Sequence, residues 1–162
     1  MTPIILIINN IMKYSIAILA AGCFWGVQDY FSKINGVKST KVGYSGGNTD
    51  NPSYEQVCSG STGHAECILI NFDEKIINYE EILSYFWKCH DPTQLNRQGA
   101  DIGTQYRSAI FYCDENQEKI AINSMKNIKQ SISNIVTELS EAKTFYDAEE
   151  YHQNYITKCK VF

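Results

Sequence analysis

Cys23 stands where the apolar run Ile16-Ala17-Ile18-Leu19-Ala20-Ala21 meets Gly22 and gives way to an amphipathic stretch that begins Phe24-Trp25-Gly26. Strand, glycine turn and helix in that order put a thiol at a helix N-terminus. Unpaired N–H groups and the positive dipole end favour an anion there. The thiolate is the form that attacks electrophiles, and a free thiol of pKa about 8.5 supplies only a few per cent of it at neutral pH. Two aromatic neighbours oppose ionisation, and the sequence leaves the balance open. Glu66 is the second reactive candidate, the one charge in the apolar run from Ala65 to Phe72. Burial raises a carboxyl pKa and lets the group donate a proton near neutral pH. A thiol nucleophile and a raised-pKa acid form a functional pair. Tyr44 and Tyr106 sit beside small or polar residues at strand edges, where a phenol could reach a cleft. On composition alone they do not stand out among 11 tyrosines, and Asp101 reads equally well as a turn residue.

Other chemistries find less support. His64-Ala65-Glu66 shares the His-x-Glu of zinc deaminases, but the Pro-Cys-x-x-Cys half is missing. A cysteine-nucleophile hydrolase needs a histidine base for Cys23, and His64 is the nearest motif candidate; this is the alternative reading. His90, before Asp91-Pro92, and His152, on the last predicted helix, read as structural. Six cysteines are an even number, yet the chain is long enough for a core without disulfide staples. Cys67 and Cys113 lie in apolar strand-like runs, where a free cysteine acts as a small hydrophobe. No Cys-x-x-Cys pair marks a structural zinc site. The net charge of −4 gives no polyphosphate footprint, and Lys126 and Lys129 read as a solvated helix face.

The elements that must carry these groups follow from periodicity. Residues 15–21 read as a buried strand and residues 23–34 as a helix with Phe24, Val27, Phe31 and Ile34 on one face, ended by Asn35-Gly36. Val37 to Tyr44 is a strand, residues 48–63 a long loop, and residues 65–72 a central strand. Tyr79, Ile82, Leu83, Phe86 and Trp87 define a helix over 79–89, with Asn78 as N-cap and Asp91-Pro92 as its stop. A second long loop covers 91–107. A strand follows over 108–113, and a helix over 115–133 buries Ile120, Met125, Ile128 and Ile132. Residues 135–139 are strand-like, and residues 147–158 form a last helix. Strands and helices alternating around one core indicate an α+β fold, a two-layer α/β sandwich. Residues 13–162 read as a single catalytic domain with a short tail carrying Cys159, and residues 1–12 as an N-terminal extension, Met12 being a second natural start. Ile4 to Ile8 is too short, and lacks the preceding basic residues, for a secretory signal. No stretch reaches the roughly 20 apolar residues of a membrane span. The chain is read as cytoplasmic.

Taken in order, Gly22-Cys23-Phe24-Trp25-Gly26, Gly43-Tyr44-Ser45-Gly46-Gly47, Gly63-His64-Ala65-Glu66, His90-Asp91-Pro92-Thr93, Leu95-Asn96-Arg97-Gln98-Gly99 and Asp101-Ile102-Gly103-Thr104-Gln105-Tyr106-Arg107-Ser108 resemble the A-type peptide methionine sulfoxide reductases. Ala148-Glu149-Glu150-Tyr151-His152-Gln153 resembles that family's C-terminal block. The resemblance covers about residues 15–158. It implies a mixed sheet with a ferredoxin-like βαβ core and long active-site loops. It further implies that Cys23 attacks the sulfoxide sulfur and that Glu66 protonates the oxygen, helped by Tyr44 and Tyr106. Phe24 and Trp25 would hold the substrate methyl group, and Asp101 would help line the site. Cys23 is left as a sulfenic acid, a second cysteine condenses with it, and thioredoxin reduces the disulfide. No bound cofactor, metal, nucleic acid or membrane is implied; oxidised proteins and thioredoxin are the partners of a protein read as a monomer. Family members commonly carry recycling cysteines in a glycine-containing tail, whereas this sequence reads Lys158-Cys159-Lys160-Val161-Phe162. Cys159 is the nominee for that role, and Cys58, in a loop, is the runner-up.

Overall fold

The computed structural model describes residues 15–160. The extension expected over residues 1–12 lies outside the described residues. Strand β1 (Ser15–Ala21) leads through Gly22 into helix α1 (Phe24–Ser32), then β2 (Val37–Ser45), α2 (Tyr54–Cys58), β3 (Ala65–Phe72) and α3 (Tyr79–Cys89). After these come a small hairpin, β4 (Arg97–Gln98) and β5 (Asp101–Ile102), a 3-10 turn (Thr104–Tyr106), β6 (Ser108–Tyr112) and α4 (Glu115–Ser131). The chain ends in β7 (Glu138–Glu141), β8 (Tyr146–Asp147), a 3-10 turn (Glu150–His152) and α5 (Tyr155–Cys159).

Six strands form one sheet in the order β7-β6-β1-β3-β2-β8, with only the β6–β7 pair parallel. β1 and β2 both lie antiparallel to β3, so they run parallel to each other with α1 as the crossover. β3 and β6 flank β1 in the same way, with α3 between them. These two interlocked βαβ units are the expected ferredoxin-like core. Every residue of β3 is buried because both faces of the sheet are covered, which explains its unbroken apolar run. On the helix face Ala17, Leu19, Ile68, Ile70 and Ile110 pack with Val27, Phe31, Ile82, Leu83 and Phe86. On the other face Ile16, Ile18, Cys67, Leu69 and Phe111 pack with Ala142 and Phe145.

Several boundaries differ from the sequence reading. Helix α1 starts at Phe24 and stops at Ser32, with Cys23 as its N-cap residue. The loop over 48–63 contains α2, closed by a reciprocal capping box between Ser53 and Gln56. Helix α4 ends at Ser131 and buries Gln117 and Ala121; Ile120, Met125 and Ile128 reach the core only in part, and Ile132 caps the helix instead of packing under it. The strand expected over 135–139 is shifted to Glu138–Glu141, where it pairs with β6. The single helix expected over 147–158 is interrupted: Tyr146–Asp147 add to the sheet edge, and Asn154 takes a left-handed φ of +54° before α5 begins. Among the described residues no helix is long and apolar enough to cross a membrane.

Candidate active site

Gly22 makes the approach to Cys23. Its φ of +93° belongs to the left-handed region that glycine adopts freely. A Cβ there would also stand 2.8 Å from Gln98 Cβ. The chain can therefore turn from β1 directly into α1, and it leaves Cys23 half-buried at the helix start with no side-chain cap bond. Glu66, on the helix face of β3, reaches the same turn: the Phe24 N–H donates to Glu66 Oε1 at 3.1 Å. Nucleophile and acid candidates thus meet at one helix N-terminus although 43 positions separate them in the chain.

Their ionisation is decided by burial. Glu66 is 2% exposed. Loss of water pushes its carboxyl up to about 7, the Phe24 N–H pulls it down, and the Asp101 charge adds to the rise. Cys23 is likewise pushed up, by burial first and then by the charges of Glu66 and Asp101, against the lowering pull of the Trp25 and Gly26 backbone N–H groups. Burial and the two carboxylates outweigh the helix end. The pull of that end towards thiolate, expected from sequence, is present but loses. The two ionisations are coupled: a proton on Glu66 removes one of the charges that hold Cys23 as a thiol.

The tyrosines flank the pair. Tyr44 lies directly across from Glu66 in the β2–β3 ladder, so both side chains share one face. Tyr44 is fully buried, not cleft-edged, and its hydroxyl donates to Glu149 Oε1 at 2.8 Å. Tyr106 closes the 3-10 turn after β5, half-buried, its phenol pushed up to about 12 by burial and next by the Glu66 charge. Asp101 is exposed on β5, and its charge acts on Cys23, Glu66 and Tyr106. Phe24 is buried with its ring centroid 5.8 Å from that of Tyr44. Trp25 is half-buried, its indole stacked on Tyr155 at 3.8 Å between centroids and 12° between planes.

Glu149, Tyr54, His152 and Tyr155 complete the surround, and sequence reasoning assigned them no part. Glu149 joins three segments by accepting from the Tyr44 hydroxyl and from the Tyr54 N–H at 3.0 Å. Burial opposes its charge, yet these donors hold its carboxyl below the usual range. His152 accepts from Trp25 Nε1 through Nδ1 at 2.9 Å, so its proton sits on Nε2. Glu149 and Tyr44 lie 105 positions apart, and no local pattern announces such a pairing.

The six cysteines divide sharply, and all are free thiols. Cys67, Cys89 and Cys113 are each pushed up to about 12, burial being the first cause in every case. Cys58, at the end of α2, is exposed and hydrogen-bonded to the Tyr54 side chain, and the Glu66 and Glu149 charges reach it. Cys159 is exposed at the end of α5. That helix lies along α1, with Tyr155 on Trp25 and Lys160 Nζ 3.7 Å from Asp29 Oδ1. Cys159 is therefore at the end of α5 remote from Cys23; Asp29 stands about 9 Å further along the α1 axis than residue 23. His64, the base a hydrolase would call on, is engaged elsewhere: Nδ1 accepts from Gly47 N at 3.0 Å, and Nε2 lies 2.6 Å from the Thr49 carbonyl.

Residues 15–161 match the family described as peptide methionine sulfoxide reductase. The chain is 52% identical over 149 residues to the peptide methionine sulfoxide reductase MsrA of Methanothermobacter thermautotrophicus, covering 90% of this chain and 88% of that one. Its fold resembles the reduced form of Mxr1 from Saccharomyces cerevisiae, with a TM-score of 0.85 and 37% identity over 89% of this chain and 84% of the yeast protein. Mxr1 in complex with Trx2 also matches, with a TM-score of 0.64 and 26% identity over 87% of this chain and 84% of that one. With a thiol and a raised carboxyl sharing one helix N-terminus on this ferredoxin-like core, the chain belongs to the peptide methionine sulfoxide reductase family, in its A type.

Proposed function

We propose that the chain reduces methionine S-sulfoxide, in proteins and as the free amino acid, with Cys23 as the nucleophile and Glu66 as the acid. The observation that carries this reading is the 3.1 Å bond from Phe24 N–H to Glu66 Oε1, which sets the carboxyl beside the turn that presents the thiol. Sulfoxide oxygen leaves poorly unless protonated. A carboxyl whose pKa lies near 7 holds a proton at working pH and can release it as the S–O bond breaks. Cys23 sulfur attacks the sulfoxide sulfur, the oxygen passes to Cys23, and methionine leaves. One thiol becomes a sulfenic acid as one sulfoxide becomes a thioether, so the electrons balance. Tyr106, beside the Glu66 charge, is placed to donate to the same oxygen. Tyr44 donates its hydroxyl proton to Glu149 and bears on Glu66 across the ladder. Phe24 and Trp25 supply the apolar wall that a methyl–sulfur group calls for, and Asp101 lines the opposite rim.

Recycling falls to Cys159. The three thiols near 12, Cys67 and Cys113 buried and Cys89 partly buried, are poor nucleophiles, which leaves Cys159 and Cys58. A helix of five residues is marginal without its packing, and unwinding α5 frees the four residues from Ile156 to Cys159. Fully extended, four residues span about 13 Å, enough to bring Cys159 back along α1 towards Cys23. Cys159 thiol then condenses with the sulfenic acid, water leaves, and the thioredoxin dithiol reduces the disulfide.

The expected result for Cys159→Ser is release of about one methionine per enzyme in a single turnover, followed by a stall with thioredoxin. Mass-spectrometric mapping after that turnover should find a Cys23–Cys159 disulfide in the parent and a Cys23 sulfenic acid in the variant. Sustained thioredoxin-driven turnover that stops only on adding Cys58→Ser would transfer the role to Cys58. The catalytic assignment itself is tested by the Cys23 and Glu66 variants discussed below.

A further inference from the structure

The segment from Asp91 to Arg107 carries Asp101 and Tyr106 to the site, yet its regular structure is limited to the 3-10 turn Thr104–Tyr106 and two short strand pairs, Arg97 with Ile102 and Gln98 with Asp101. Something else must fix its place, because Asp101 is exposed and no core contact holds it. Gln98 is the residue whose contacts converge there. Its Oε1 accepts from Asp91 N at 3.0 Å and its Nε2 donates to Asp91 O at 2.9 Å, so one side-chain amide closes the loop on itself as a strand would. Its Cβ and Cγ lie over Gly22, at 2.8 and 2.9 Å from where a Cβ on that glycine would stand. Across the hairpin it is the register partner of Asp101. One side chain therefore touches the turn that presents Cys23, the start of the loop, and the strand opposite Asp101. Neighbouring bonds stiffen the same arm: Gly99 N to Gln94 Oε1 at 2.8 Å, and Gly103 N to Asn96 O at 2.9 Å.

We infer that Gln98 is a positioning residue for sulfoxide reduction, holding the β4–β5 arm so that the Asp101 carboxylate stands over the Cys23–Glu66 pair. The inference rests on the reading of Cys23 and Glu66 given above. Gln98 touches neither substrate nor sulfur; it acts through Gly22 beneath it and Asp101 beside it. Only glycine at position 22 leaves room for the glutamine stem, and only the full length of a glutamine lets the amide reach both backbone groups of Asp91. If the arm drifts, the negative charge near Glu66 weakens. Asp101 is one of the groups that raise Glu66. The other groups facing the pair are Cys58, Tyr44, Tyr54 and Tyr106; the first three come from other elements, and Tyr106, which shares the segment, is pushed up to about 12 by burial and the Glu66 charge and brings no charge of its own.

The test is single-turnover methionine release from an S-sulfoxide peptide, followed against pH in Gln98→Met, Asp101→Asn and the double variant. Methionine keeps the length of the stem and its cover over Gly22 but makes neither amide bond. Its rate should fall about 10-fold or more, by the cost of misplacing a site by an ångström. The alkaline limb of its pH profile should move to lower pH, in the same direction as in Asp101→Asn. The double variant should show no further shift, because the two act through one charge. A Gln98→Met limb that stays with the parent, or shifts that add in the double variant, would overturn the inference. A thermal melt at the parent midpoint shows that the variant is folded; if methionine lowers it, the position of the alkaline limb decides, because loss of folded enzyme scales the profile without moving it. A parent enzyme that releases no methionine condemns the catalytic reading itself, whereas an active parent matched by Gln98→Met condemns only the role of Gln98.

Discussion

Cys23→Ser removes sulfoxide reduction, lowering single-turnover methionine release by at least about 10³-fold, the scale on which deletion of a nucleophile acts. A serine oxygen cannot accept the oxygen that sulfur accepts, and its hydroxyl ionises far less readily than a thiol. Loss of fold does not explain the result. Cys23 is half-buried and makes no cap bond, while serine is among the preferred N-cap residues, so the variant should melt at or above the parent temperature. No other thiol takes over, because three have pKa values near 12 and the two exposed ones, at the ends of α2 and α5, lack the place at the α1 N-terminus beside Glu66. Methionine measured by chromatography, with the mass of the Cys23 peptide followed for one added oxygen, checks both halves. Release at the parental rate would remove the foundation of the proposed chemistry.

Glu66→Gln is expected to lower the same rate by about 10²- to 10⁴-fold, the usual worth of a positioned general acid. Glutamine keeps the shape and still accepts from Phe24 N–H, but it has no proton to give. Binding should change far less than rate, because the proton matters in the transition state. In the parent, Glu66 is protonated below its pKa of about 7, so the reduction step should slow as pH rises through that value. The glutamine variant should lack this limb. Stability gives an independent reading with a defined sign. The folded pKa is raised from an ordinary 4.5 to about 7, so burial of the charge costs nothing below the lower value and its full amount above the upper one. That amount is at most about 3 kcal/mol. The melting temperature of Glu66→Gln should therefore gain on the parent between pH 4 and pH 8. An unchanged pH–rate profile would exclude Glu66 as the acid.

Much of this arrangement was legible in the residues. The strand–glycine–helix run around Cys23 predicts both β1 and the helix N-terminus, because apolar spacing and one glycine decide them locally. Glu66 betrays itself as a charge inside β3, where burial on both faces leaves no cheap place for it. The 79–89 helix is set by its five apolar positions and the Asn78 cap. What stayed hidden depends on distant partners. The Ser53–Gln56 capping box is visible in sequence, but its helix is one turn long and easily absorbed into a polar loop. The elements from Glu138 onward give weak patterns because they are short and held by others: β7 by β6, β8 by β2, and α5 by α1. The charge balance at Cys23 is likewise a property of the assembled site, where Glu66 and Asp101 arrive from remote parts of the chain to oppose the helix end.

A repair enzyme for oxidised sulfur works amid the oxidants that damaged its substrates, and it carries sulfur of its own. With pKa values near 12, the thiols of Cys67, Cys89 and Cys113 hold about one anion in 100,000 at pH 7. Peroxide reacts with the anion, so these side chains are chemically silent, and Cys67 and Cys113 are enclosed as well. Among the cysteines, oxidative wear is thereby confined to positions 23, 58 and 159, where a passing reductant can undo it.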